Sequence, residues 1–112
     1  SISLNASTAY CTNLYAGGNV SADSFTDRTP FFEGDALSQI KGIRSTNGEL
    51  DHSSLPSFAR KTLKVKGKSD MSKEIEQDGR DLGAMISILT VGMQQLLSRV
   101  EKLESANQAI QA

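Results

Sequence analysis

Residues 82–110 read LGAMISILTVGMQQLLSRVEKLESANQAI, and this run constrains how the rest of the chain can fold. A leucine or isoleucine recurs in it at every seventh position from Leu82, and a second series begins at Ile86. Steps between the two series alternate four, three, four, three, which is the 3.5-residue repeat of a left-handed coiled coil. The first series takes heptad position d and the second takes position a. The predicted oligomer core is Leu82, Ile86, Leu89, Met93, Leu96, Val100, Leu103 and Ile110.

Polar residues of the same helix predict its orientation relative to a partner. Arg99 falls at position g and Glu104 at the following position e, so the two can form an interchain ion pair when the helices are parallel. Asn107 falls at position a, where it either sets the register or marks a frayed, hydrated helix end. Asp78 is the predicted N-cap, with Asp81 in the first turn, because the amino end of a helix favours acidic side chains.

The apolar stripe is wider than positions a and d, which bears on the number of associating chains. The additional apolar residues are Met85, Ile88, Val91 and Leu97. They are buried either by a bundle of three or more chains or by the middle of the chain folding back onto the helix. Isoleucine and valine at position a, with leucine at d, favour a dimer. The width of the stripe favours a larger bundle, so we expect a homotrimer, with a dimer as the less favoured state.

A helix of this length is expected to be stable only when its apolar stripe is covered. Ordering the backbone costs conformational entropy at every residue, and most helical stability in proteins comes from packing. The expected cover is another copy of the chain. The alternative is that the helix packs onto a small domain of its own chain.

The chain divides into three regions of different composition. The divisions are 1–28, 29–77 and 78–112. The first region is rich in small polar residues, with short alternations typical of strands at the end of a β-structured shaft. Its predicted strands lie near residues 2–4, 9–14 and 19–24. The last region holds the coiled-coil helix, so the expected fold class is α+β.

The middle region is predicted to be a small mixed connector. A helix is predicted at 34–42 from apolar residues at helical spacing, and a turn at Asn47-Gly48. Leu63 and Val65 alternate with lysines, which predicts a strand with one solvated face.

The charge balance of the chain limits its partners. Its 112 residues carry 12 Lys and Arg against 13 Asp and Glu, a net charge of −1. Nucleic acids and anionic membranes attract basic surfaces, so neither is an expected partner. No apolar run reaches the roughly 20 residues that cross a bilayer, so membrane insertion is not expected. Cys11 is the single cysteine, which excludes an intrachain disulfide.

Candidate catalytic and metal-binding residues are few. His52 is the single histidine and lies in the string Asp51-His52-Ser53. Members of a catalytic triad must converge in space, whereas neighbours in a loop point apart, so we expect a loop histidine with local hydrogen bonds. The acidic residues at 74–81 are expected to form a solvated start of the helix. We assign no catalytic residue, metal site or cofactor, and the chain is not expected to be an enzyme.

Three strings carry a family resemblance. They are GNVSADSFTDRTP at 18–30, DHSSLP at 51–56 and GRDLGAMIS at 79–87. These strings resemble the C-terminal region of bacteriophage tail fibres and tailspikes that carry an endosialidase-type intramolecular chaperone. The resemblance implies a homotrimer with an intertwined β-part and a C-terminal helical bundle that brings the chains into register. It also implies a location in the virion tail, with other tail proteins and a host surface receptor as partners.

The expected function is that of a structural virion component, a segment for trimerisation and nucleation of folding. A self-cleaving chaperone is one alternative. The cleaving members of the family carry a Ser-Asp-x-Arg-Leu-Lys type motif, which residues 24–28 do not match and residues 69–75 match loosely. A distal receptor-binding tip is the other alternative. Its candidate contacts are Tyr10, Tyr15, Phe31 and Phe32.

Overall fold

The structure is a computed structural model that describes residues 5–67, 70 and 72–111. The chain is elongated, with extents of 70 × 37 × 23 Å. Its architecture is α+β, as predicted, with two small antiparallel sheets and a long C-terminal helix. The elements are α1 (Ala36–Lys41), β1 (Ser45–Thr46), β2 (Glu49–Leu50), a 3₁₀ turn (His52–Ser54), β3 (Arg60–Lys66), β4 (Glu74–Arg80) and α2 (Leu82–Gln111).

The amino-terminal segment does not form the predicted strands. Residues 5–35 contain no helix or strand, so the strands predicted at 9–14 and 19–24 are wrong, and the one at 2–4 lies outside the described residues. A strand needs a neighbour for its backbone hydrogen bonds and an apolar face to hold that neighbour. Small polar residues dominate here, and a side chain as large as that of Tyr10 stays 94% exposed. The β structure lies farther along the chain, in two hairpins.

Helix α1 and the first hairpin follow their local sequence signals. The helix predicted at 34–42 is confirmed, and Asp35 caps it by accepting a hydrogen bond from the N–H of Ser38 at 3.1 Å. The turn predicted at Asn47-Gly48 joins β1 to β2. Its φ angles of 53° and 79° are the positive pair that a type I′ hairpin requires.

The second hairpin has one charged face and one more apolar face. β3 and β4 pair in antiparallel fashion along their full lengths. Leu63 and Val65 lie on one face, while Lys64 lies on the other, opposite Glu76. The strand predicted around Leu63 is therefore confirmed. The acidic residues before residue 80 belong to β4 and not to the start of the helix, because strand pairing extends through them.

Helix α2 begins at Leu82, so the prediction of Asp78 as its N-cap is wrong; Asp78 lies in β4. Asp81 caps the helix instead, since its Oδ1 accepts a hydrogen bond from the N–H of Ala84 at 3.0 Å. The backbone N–H of Asp81 donates to the carbonyl of Ala59 at 2.9 Å. The first turn of the helix is thus fastened to the start of the second hairpin.

A small core joins the connector to one face of α2. Its buried members are Ala36, Ala59, Ala84, Ile88 and Val91. Around them pack Phe32, Ile40, Phe58 and Met85. The rings of Phe32 and Phe58 meet edge to face with centroids 5.5 Å apart. Because the small Ala36 of α1 meets Gly92 of α2, the two helices can approach closely.

Candidate oligomerisation surface

Helix α2 carries an apolar stripe that its own chain leaves in solvent. All eight residues of the predicted oligomer core are exposed, from 39% at Val100 to 83% at Ile110. These residues, here called the seam, are Leu82, Ile86, Leu89, Met93, Leu96, Val100, Leu103 and Ile110. Long contiguous apolar surfaces of this kind mark sites of interaction with another molecule.

The opposite face of α2 is covered by the connector. Its buried residues are Ala84, Ser87, Ile88, Val91 and Gly92. Two of the apolar residues outside positions a and d, Ile88 and Val91, are therefore buried within the chain, by the folding back that was one of the two predicted explanations. Met85 is partly buried beside them, whereas Leu97 stays 56% exposed. We call the surface formed by the five buried residues of α2 the docking face.

Two polar side chains of α2 fasten the connector to the docking face. Ser87 Oγ accepts a hydrogen bond from the N–H of Phe32 at 2.6 Å. Gln95 Oε1 accepts hydrogen bonds from the first two amides of α1 at 3.0 and 3.3 Å. Its Nε2 donates to the carbonyl of Gly34 at 2.8 Å. Gln95 therefore satisfies amides that lack partners inside their own helix, and it fixes where α1 begins on the long helix.

The two edges of the seam differ. On the edge formed by heptad position g, Ile40 of α1 lies against Gly92, where a Cβ would collide with Ile40 Cδ1. On the edge formed by position e, an apolar groove runs along the helix. Its lining residues are Ile86, Leu89, Thr90, Met93, Gln94 and Leu97. The connector therefore covers the g edge around Gly92 and leaves the e edge open.

The carboxyl-terminal half of α2 extends beyond the connector. Every residue from 96 to 111 is exposed. Arg99 and Glu104, the predicted interchain ion pair, form no ion pair with any other described residue. Asn107 is exposed as well, and its two predicted roles both stay open.

Sequence reasoning found the seam but only half of the docking face. The heptad pattern predicts the seam residues, and their burial by another copy stays a prediction. The docking face was signalled by the excess of apolar residues at Ile88 and Val91. No sequence signal identified Ser87, Gly92 and Gln95, because each acts on residues that lie more than fifty positions away.

The Asp51-His52-Ser53 string joins the two hairpins. His52 Nε2 donates a hydrogen bond to the carbonyl of Lys61 at 2.8 Å, and its Nδ1 lies 3.6 Å from Asp78 Oδ2. Asp51 Oδ1 accepts a hydrogen bond from Ser53 Oγ at 2.6 Å. This hydrogen bond is the largest cause that lowers the pKa of Asp51 below its ordinary value of 3.8. The string thus makes a turn and ties it to the second hairpin.

The described residues offer no metal centre. Among them, no three His, Cys, Asp or Glu side chains group closely enough to hold a metal ion. In the same part of the chain, no helix has the length and apolar character to cross a bilayer. No protein-family model, curated protein or solved structure matches the chain. The seam and the docking face are therefore the features from which we infer function.

Proposed function

We propose that this chain is an assembly module in which α2 pairs with α2 of two further copies in a parallel three-stranded coiled coil. The seam carries the proposal, because its 3.5-residue repeat stays exposed while the opposite face of the helix is buried by the chain itself. A helix whose stripe served only its own small domain would bury that stripe. Here the domain occupies the other side.

Burial of the seam supplies the driving force for assembly. Each large aliphatic side chain gains roughly 1.5–3 kcal/mol when it is fully removed from water. The residues of α2 from 96 to 111 are all exposed in the single chain. Isolated helices of this length are marginal in water, so this part of α2 depends on a partner for its stability. Association and ordering of the helix end are therefore coupled.

The polar residues favour a parallel arrangement. Arg99 at position g and Glu104 at the following position e meet across chains when the helices run in the same direction. Both side chains are exposed and free of other ion pairs among the described residues. In an antiparallel pair, position e faces e and position g faces g, so Arg99 and Glu104 would not meet.

The edges of the seam favour three chains over two. Ile88 and Val91 no longer bear on this choice, since the connector buries them. Leu97 and Thr90 extend the apolar surface onto position e. A third helix buries the e and g edges more deeply than a two-stranded coil does. A dimer, which isoleucine and valine at position a would suit, is the alternative state.

The resemblance of three strings to phage fibre proteins gives the assembly a biological setting. On that basis the chain is the C-terminal trimerisation and folding-nucleation segment of a tail fibre or tailspike in the virion. The helices associate first, which lowers the entropic cost of bringing three upstream shafts together. Other tail proteins would then be its structural neighbours.

Exposed aromatic residues favour a second candidate function, a receptor-binding tip. Tyr10, Tyr15 and Phe31 are 94%, 55% and 60% exposed. Phe32, the fourth predicted contact, packs against Phe58 and is therefore no longer a candidate for receptor binding. Binding of the isolated chain to host cells tests this function, with replacement of Tyr10 and Phe31 by serine expected to abolish it. Equal binding by the parent and the variant would exclude these residues as contacts.

Sedimentation equilibrium tests the assembly proposal. The parent chain is expected to sediment with three times the chain mass of 12.0 kDa at micromolar concentration. Replacing Leu89 and Leu96 with aspartate places charges in the seam and is expected to give a monomer. The matched control replaces Ser98 and Ser105 with aspartate, which adds the same charge at exposed positions of the same helix outside the seam.

The outcomes separate clearly. A trimer for the parent and the serine variant, with a monomer for the leucine variant, supports the proposal. A parent chain that is monomeric at these concentrations contradicts it. A parallel dimer would keep the seam as the interface and correct the number of chains.

A further inference from the structure

Gly92 leaves position g of its heptad without a side chain, and α1 fills the gap. Ile40 Cδ1 occupies the space beside Gly92 where a Cβ would stand. Ile40 is only partly buried, and Gly92, which its Cδ1 touches, borders the seam. The connector thus supplies the apolar group that the long helix lacks at this point.

The residue opposite this position in a neighbouring helix is also apolar. In a parallel coiled coil, position g of one helix meets position e of the following heptad on its neighbour. Counting from Gly92, that position is Leu97, which is 56% exposed and lines the open groove. The same rule pairs Met85 with Thr90 and Arg99 with Glu104. The predicted edge contacts are thus apolar near the connector and ionic beyond it.

We infer that α1 is part of the interface between copies, with Ile40 of one chain packing against Leu97 of the adjacent chain. This inference rests on the proposed parallel assembly and names a contact outside its seam. The occupant of the e-edge groove is then the g edge of a second copy together with the α1 that covers it.

The asymmetry of the two edges argues for this occupant. An antiparallel pair would set one α1 against the other and leave two open grooves facing each other. A parallel arrangement instead places a covered g edge in every open e edge. The fit also makes assembly depend on the connector, because Ile40 reaches the edge only when Gln95 holds α1 in place.

Interchain cross-linking tests the contact. In a background of Cys11→Ser, one chain carries Ile40→Cys and another carries Leu97→Cys. The two are refolded together and treated with a short bismaleimide. We expect a covalent pair in the mixture and none with either variant alone. Each chain then carries a single cysteine, so any covalent pair joins two copies.

A second mixture reports on the helix register without involving α1. It combines Arg99→Cys with Glu104→Cys in the same background. If this mixture cross-links and the first does not, the inference about α1 falls while the proposed assembly stands. If Leu97→Cys cross-links with itself, the helices are antiparallel and the inference is overturned. If the parent sediments as a monomer, the proposed function fails, and the inference fails with it.

A double-mutant cycle tests the same contact by measuring the interaction free energy between the two side chains. Ile40→Ala and Leu97→Ala are each expected to weaken assembly. Since the two side chains touch, their combined effect on the dissociation constant is expected to fall short of the product of the single effects by about tenfold. Effects that simply multiply would contradict the contact, provided that circular dichroism shows the helical content of each variant unchanged at saturating concentration.

Discussion

Ile86 and Ile88 are the same residue on opposite faces of α2, and replacing each with alanine separates the two roles that we assign to the helix. Ile88 is fully buried against the connector, whereas Ile86 is 65% exposed in the seam. The alanine variants differ only in which face loses three carbon atoms. Helix propensity changes equally in both, so it cancels from the comparison.

The expected magnitudes follow from burial. Ile88→Ala leaves a cavity in the docking face and is expected to lower the free energy of unfolding by about 2–5 kcal/mol per chain. Ile86→Ala costs about 1.5–3 kcal/mol per chain only where another copy buries it, which is roughly 4.5–9 kcal/mol for a trimer. Because the midpoint concentration of a trimer varies as the square root of its dissociation constant, that midpoint is expected to rise on the order of 40-fold or more.

Urea unfolding at several chain concentrations, combined with sedimentation equilibrium, provides the assay. Ile88→Ala is expected to lower the urea midpoint at every concentration yet to keep the trimer mass when the chain is concentrated. Ile86→Ala is expected to shift the trimer to monomer at concentrations where the parent is fully assembled. If Ile86→Ala matches the parent in mass and midpoint throughout, the seam is not an interface. If Ile88→Ala leaves the urea midpoint unchanged, the connector does not dock on α2 as described.

Two further predictions concern the connector. Gln95→Glu keeps the acceptor for the amides of α1 but sets an oxygen against the carbonyl of Gly34. This variant is expected to lower the free energy of unfolding by about 1–3 kcal/mol and to speed hydrogen exchange at the start of α1. Unchanged exchange would contradict the role of Gln95. The folded pKa of Asp51 is lowered, so the stability that this carboxylate contributes is present above its ordinary value of 3.8 and is lost as the pH falls through the folded pKa. Ser53→Ala removes the largest cause of the shift, so an NMR titration of this variant is expected to show the pKa of Asp51 raised toward 3.8. An unchanged pKa would refute the role of Ser53.

Local signals of the sequence predicted the elements whose cause is local. The turn at Asn47-Gly48 follows from two residues that accept positive φ, and α1 follows from a capping aspartate and helical spacing. The long helix follows from a repeat that extends over four heptads. In each case the deciding interactions lie within a few residues of one another.

Elements that depend on distant partners were harder to predict. Alternation at residues 19–21 indicated a strand, but a strand also requires a paired neighbour, and the two sheets of the described residues are formed by other segments. Asp78 was the predicted cap of α2, but it pairs within β4, and the role of cap falls to Asp81. Ser87 and Gln95 resemble ordinary surface residues of a helix, and only the position of the connector reveals what they bind.

The placement of the seam and the docking face on opposite sides of one helix makes specificity and scaffold separately exchangeable. The eight seam side chains can be replaced by those of a coiled coil with different pairing rules without touching Ser87 or Gln95. Such a chimera would keep its small domain and associate with different partner chains. Changes in the seam leave the docking face, and with it the position of α1, intact. In the proposed assembly, changes confined to the seam would therefore be enough to keep related chains from mixing.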